Sequence, residues 1–99
     1  MGMDHSTEYR GTTFVWDADK ALSNQRKHGV SFDEAVTVFD DPLFILQDAC
    51  RSEEQRDAVI GFSSANRLLT VVHIECDGVF IRIISARRAS ATEEALYDQ

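Results

Sequence analysis

The sequence predicts an α+β fold: an N-terminal helical hairpin, a four-stranded, mainly antiparallel meander sheet and a short C-terminal helix. Three observations lead there. Between residues 17 and 39 apolar side chains recur at helical spacing, punctuated by capping residues. From Leu43 to Ala86 the period falls to two, and the tight connections imply antiparallel neighbours. Ser90, three residues ahead of Glu93, then opens one more helix with a capping box.

Residues 1–12 show no periodicity and read as a flexible leader to a single domain over 13–99. His5 there reads as solvated, and Phe14-Val15-Trp16 as an edge strand or a staple for the following helix. Asp17 is the N-cap of a first helix that reaches His28, where Gly29 ends it. Ala18, Ala21, Leu22 and Gln25 form one face of it. Lys20, Asn24, Lys27 and His28 form a polar stripe whose ordinary reading is a solvated face. Ser31 and Glu34 make a second capping box, with Phe32, Ala35, Val36 and Phe39 at i, i+3, i+4, i+7 behind it. Asp40-Asp41-Pro42 stops that helix, since the residue before proline resists helical geometry. The pair is not a DNA-reading helix-turn-helix, because the second helix offers Asp33, Glu34 and Asp40 and no base-reading cation.

Four strands follow, at Leu43–Leu46, Ala58–Phe62, Leu68–Cys76 and Val79–Ala86. A polar loop, 47–57, joins the first two, and Asp77-Gly78 signals a tight hairpin between the last two.

Ninety-nine residues suit one domain. No apolar run approaches the ~18 residues that cross a bilayer and no signal peptide is present, so the expected setting is cytoplasmic with no membrane contact. Cys50 and Cys76 lack metal-ligand spacing and read as reduced packing residues. A net charge of −7 argues against gripping nucleic acid with the whole surface. Residues 58–92, however, carry Arg67, Arg82, Arg87 and Arg88 against Glu75 and Asp77, a local +2 that leaves −9 for the rest.

No glycine-rich phosphate loop, nucleophile elbow or zinc spacing is present, and no cofactor is called for. The carboxylate pairs Asp40-Asp41 and Glu53-Glu54 fall in turns and loops, where solvation explains them. Chemistry is therefore sought in Val79–Ser90, VFIRIISARRAS, which places Arg82 mid-strand and Arg87 and Arg88 at the joint to the last helix. Guanidinium groups hold phosphates at two points. Their structural reading is a carboxylate partner for Arg82 and surface charges for the other two. If they converge with Lys27 and a histidine, His28 or the mid-strand His73, they could cleave RNA without a metal. The arginines would stabilise the pentacovalent phosphate while a base removes the 2′-hydroxyl proton.

The runs FVWDADKALSNQRKHGVSFDEAVTVFDDP, VIGFSSANRLLTVVH and IRIISARRAS, with Glu94 and Tyr97 beyond, closely resemble the BrnT family, toxins of type II toxin–antitoxin systems. The resemblance implies a RelE-like ribonuclease fold and metal-independent RNA cleavage that arrests translation. It also implies a ribbon-helix-helix antitoxin of the BrnA type, through which alone the complex meets operator DNA. Carried onto this chain, the RNA site comprises Lys27 and His28 of KHG, Arg67, and Arg82, Arg87 and Arg88 of RIISARR. Lys20 and His73 are further RNA-binding candidates. Where the family often has basic residues in the last helix, this chain reads Thr92-Glu93-Glu94-Ala95. That departure leaves a second reading: an antitoxin-binding co-repressor with weak or no cleavage.

Overall fold

The computed structural model describes residues 3–49 and 55–99, so Cys50 and the Glu53-Glu54 pair lie outside the described residues. The chain runs β1 (Asp4–Tyr9), β2 (Thr12–Asp17), α1 (Ala18–His28), α2 (Phe32–Thr37), a 3-10 turn (Val38–Asp40), β3 (Ile45–Asp48), β4 (Asp57–Phe62), β5 (Leu68–Cys76), β6 (Phe80–Arg88) and α3 (Ala91–Tyr97). The described strands form one mixed six-stranded sheet in the order β1-β2-β6-β5-β4-β3. This corrects the expected architecture of an N-terminal helical hairpin on a four-stranded antiparallel sheet. Two strands precede the helices, and β2 lies parallel to β6, pairing Thr13 with Phe80, Phe14 with Ile81 and Val15 with Arg82.

The stretch read as a leader contains β1. Its residues DHSTEY are mostly polar because β1 is an edge strand with much of its surface in water. Arg10 and Gly11 make the turn to β2, both at positive φ (49° and 85°), the conformation two-residue hairpins need.

The helical caps form as expected, with one difference. The Asp17 side chain accepts from the Lys20 N–H, and Gly29 ends α1 in the left-handed conformation. Ser31 accepts from the Glu34 N–H, but Glu34 turns its carboxylate to Arg67 and Ser63 instead of completing the box. Helices α1 and α2 cover one face of the sheet. There Phe14 and Trp16 of β2, Ile83 and Ala86 of β6, and Leu69 and Val71 of β5 pack against Val30, Phe32, Ala35, Val36 and Val38.

Asn24 is not part of a solvated stripe. It is buried, and its carboxamide nitrogen donates to the Val30 carbonyl (3.0 Å) and the Ala86 carbonyl (2.8 Å). Its oxygen accepts from the Ala86 N–H (3.1 Å). β2 pairs with β6 only as far as Arg82, so Asn24 stands in for the missing strand neighbour at Ala86.

β6 also runs further than expected, so that Arg87 and Arg88 lie within the strand. A bulge interrupts its pairing with β5: Val72 faces Ser85 and His73 faces Ile83, leaving Ile84 as the extra residue. The bulge resets the alternation. Ile81, Ile83, Ala86 and Arg88 face the helices, whereas Phe80, Arg82, Ser85 and Arg87 face the opposite, open side.

Candidate functional site

The open side of the sheet carries a hollow of about 560 Å³. Gln47 and Asp48 of β3, Ala58 of β4, Thr70 and Val72 of β5, and Ser85 and Arg87 of β6 line it, with Arg56 on one flank and Glu93 of α3 on another. The bulge and the strand pairing place these groups together: Thr70 lies directly across from Arg87, and Val72 from Ser85.

Arg87 and Glu93 are the best-defined pair in the hollow. Nη1 and Nη2 of Arg87 donate to the two carboxylate oxygens of Glu93 at 2.7 and 2.8 Å, and Nη1 also reaches the Arg88 carbonyl at 3.2 Å. Glu93 further accepts from the Thr70 hydroxyl (2.9 Å) and the Ser90 N–H (2.8 Å). The Arg87 hydrogen bonds hold its carboxyl down at about 2, with Ser90 and Thr70 adding to the effect. Arg87 keeps 42% of its side chain exposed against 15% for Glu93, so a fixed guanidinium still offers an edge to solvent.

This pair predicts an acid limb in stability. A carboxyl whose folded pKa lies below its unfolded value stabilises the fold above the unfolded value, near 4.5, and that contribution disappears as pH falls toward about 2. Glu93→Gln should cost about 1–2 kcal/mol at pH 7, discounted because Arg87 is half in water. The variant should flatten the melting-temperature profile between pH 5 and about 2 relative to the parent chain. Parallel profiles across that range would contradict the assignment.

Arg82 shares the open side but lies outside the hollow. Nη1 and Nη2 donate to the Asp4 carboxylate at 3.4 and 3.2 Å, across the β1–β2–β6 end of the sheet. Arg88 points the other way, toward α2, close enough to help lower the pKa of Glu34, although the Arg67 hydrogen bonds are the larger cause. Arg67 grips Glu34 with Nε (2.9 Å) and Nη2, and Nη2 also donates to the Gly29 carbonyl (3.2 Å). Arg67 and Arg88 line a second, smaller depression of about 380 Å³ with Asn66 and Glu94. Lys27 and His28 occupy the last turn of α1, immediately before Gly29, and so stand beside this second group. Lys20 is exposed in the first turn of α1, two helical turns from Lys27. His73 is buried against Phe39, ring centroids 5.0 Å apart, and burial lowers its pKa.

The expected single hollow shared by Arg82, Arg87, Arg88, Lys27 and His28 is therefore not present. Arg87 lines the open-side hollow, and Arg82 is held by Asp4 at the far end of that side. Arg67 and Arg88 flank the helix side with Lys27 and His28 nearby, and His73 has no open access to solvent. Residues not singled out beforehand (Arg56, Thr70, Ser85 and Glu93) complete the hollow. Ser85 and Arg87, two apart in the SAR run, carried a usable signal, since that spacing puts them on one strand face. Thr70 and Arg56 carried none, because their placement depends on long-range pairing. Among the described residues no group of three His, Cys, Asp or Glu side chains is arranged to hold a metal ion. No described helix is long and apolar enough to cross a membrane.

Comparison with known proteins bears on what this arrangement serves. No curated protein matches the chain. Among solved structures, the 1.1 Å crystal structure of the Brucella abortus ribonuclease toxin BrnT is similar to it, with a TM-score of 0.57 and 22% sequence identity, over 76% of this chain and 92% of that one. That likeness shows a shared fold. The family model described as the ribonuclease toxin, BrnT, of type II toxin–antitoxin systems matches residues 16–93. These residues run from the end of β2 to the first turn of α3 and include both arginine groups, so the chain belongs to the BrnT family of type II toxin–antitoxin toxins.

Proposed function

We propose that the chain is a metal-independent endoribonuclease that arrests translation in the cytoplasm, with the open side of the sheet as its RNA site. The observation that carries this reading is Arg87, held by Glu93 over a polar hollow that also contains Arg56 and Ser85. A pre-oriented guanidinium beside a hollow is suited to stabilising the negative charge that grows on a phosphate under 2′-hydroxyl attack. The 2′-oxygen forms a bond to phosphorus, the 5′-oxygen leaves with its electron pair, and the 2′-proton passes to a base. Glu93, held at about 2, is too weak a base for that step, and its part is to hold Arg87 in place. Arg67, Arg88, Lys27 and His28, on the helix side of the sheet, are assigned to the RNA backbone beyond the hollow. The partner is a BrnA-type ribbon-helix-helix antitoxin, which alone brings the complex to operator DNA.

One feature favours the second reading, an antitoxin-binding co-repressor with little cleavage. Arg67, Arg82 and Arg87 each hold a carboxylate, on a chain of net charge −7. Purified protein incubated with RNA in EDTA separates the two. Cleavage should persist in EDTA and fall about a hundredfold in Arg87→Ala, whereas Arg82→Ala, remote from the hollow, should change it less than about threefold. Absence of RNA cleavage by the folded parent chain would establish the co-repressor reading. Equal cleavage by Arg87→Ala would remove the hollow from the mechanism.

A further inference from the structure

We propose that the outer edge of β3, with the apolar side chains beside it, is the docking site for a basic segment of the antitoxin. β3 is the last strand of the sheet among the described residues, opposite the edge made by β1. The Ala49 N–H bonds the Arg56 carbonyl at 2.8 Å, in the same register that pairs Ile45 with Ile60 and Gln47 with Ala58. Antiparallel alternation then turns the backbone groups of Ile45 and Gln47 toward β4 and those of Leu46 outward. An outward N–H and C=O on an edge strand is a template for one more strand.

The side chains agree. Leu43 and Leu46 are 71% and 57% exposed and Phe44 is 38% exposed, three large apolar groups within four residues. Sheet edges that avoid partners display lysine, proline or a bulge, and β3, reading Ile-Leu-Gln-Asp, has none of these.

Charge selects the occupant. Among the described residues of 40–57, Asp40, Asp41, Asp48 and Asp57 stand against Arg56, so the surroundings of the edge are acidic. A second copy would bring the same acidic residues against its own edge, and an anionic membrane would meet like charge. A cationic, extended protein segment with apolar side chains at every second position fits both features. Membership of a type II toxin–antitoxin family supplies a protein partner to carry it. Leu46 does not line the hollow, which β3 reaches only through Gln47, Asp48 and the following Ala49.

The test uses the full chain and, as probe, a purified BrnA-type ribbon-helix-helix antitoxin. Leu46→Lys places a cation on the exposed edge and should weaken binding roughly thirtyfold, with RNA cleavage and melting temperature unchanged. Binding of the parent chain should weaken as salt rises, and the Leu46 amide should gain protection from hydrogen exchange in the complex. Unchanged affinity in Leu46→Lys, an unprotected Leu46 amide, or no binding by the parent chain would overturn the proposal. So would a parent dimer in light scattering that Leu46→Lys dissociates while antitoxin affinity stays the same. Since affinity and cleavage are read separately, an inactive but antitoxin-bound chain would count against the nuclease mechanism and not against this surface.

Discussion

Asn24→Ala is expected to destabilise the chain by about 4 kcal/mol, lowering the melting temperature by roughly 15–25 °C. The side chain is small and polar, and ordinary reasoning about an exposed helical asparagine would predict almost nothing. Its burial reverses that. Removing the carboxamide leaves the Val30 carbonyl and both backbone groups of Ala86 without their partner inside the fold. Each such orphan costs about 1–3 kcal/mol, partly relieved by any water that follows. Asn24→Asp should be nearly as harmful, because it retains the acceptor for the Ala86 N–H and sets a negative charge against two carbonyl oxygens. Lys27→Ala, on the exposed side of the same helix, is the control and should shift stability by less than about 0.5 kcal/mol. Chemical denaturation of the three variants measures this directly, and a loss below about 1 kcal/mol in Asn24→Ala would show that the contact has little energetic weight.

Phe14→Ala is expected to cost about 3–5 kcal/mol. Phe14 is 1% exposed, pairs in register with Ile81 across the parallel β2–β6 contact and packs on Phe39 at 5.1 Å between ring centroids. The parallel contact spans only three residue pairs, so the apolar packing of Phe14 and Trp16 carries much of what fixes the β1–β2 hairpin to the rest of the fold. A domain of this size has about 5–15 kcal/mol in total, and the substitution should leave a readily unfolded chain, seen as a lower midpoint in urea. Were the hairpin a peripheral addition, amide exchange in β5 and β6 would be unaffected by Phe14→Ala. We expect faster exchange in both.

The parts of the fold legible beforehand are those set by local chemistry. Asp17, Gly29, Ser31 and the Ser90–Glu93 box mark helix ends because each satisfies a backbone group within a few residues. Asp77 and Gly78, both at positive φ, give the last hairpin in the same way. What escaped was set at long range. β1 has a polar sequence, so its alternation is invisible until β2 lies beside it. The parallel β2–β6 pairing joins residues some 67 positions apart, and no propensity encodes it. Family resemblance singled out the arginines as a group, but not that Arg87 and Arg88 face opposite sides of the sheet, nor that Glu93 orients Arg87. The acidic Glu93, which seemed a departure from a basic last helix, is one of the most heavily hydrogen-bonded groups in the hollow.

The additional residue at Ile84 has an implication for how this motif tolerates change in length. Arg82 and Arg87 are an odd number of positions apart, which in an uninterrupted strand would put them back to back. Only the inserted position lets both look outward, while Ala86 and Ile83 remain inside. Shortening the run between the two arginines by one residue would leave every side chain chemically intact. It would also force a choice between turning a guanidinium into the apolar interior and turning Ala86 out of it, so the length of the segment is as much a part of the site as the arginines themselves.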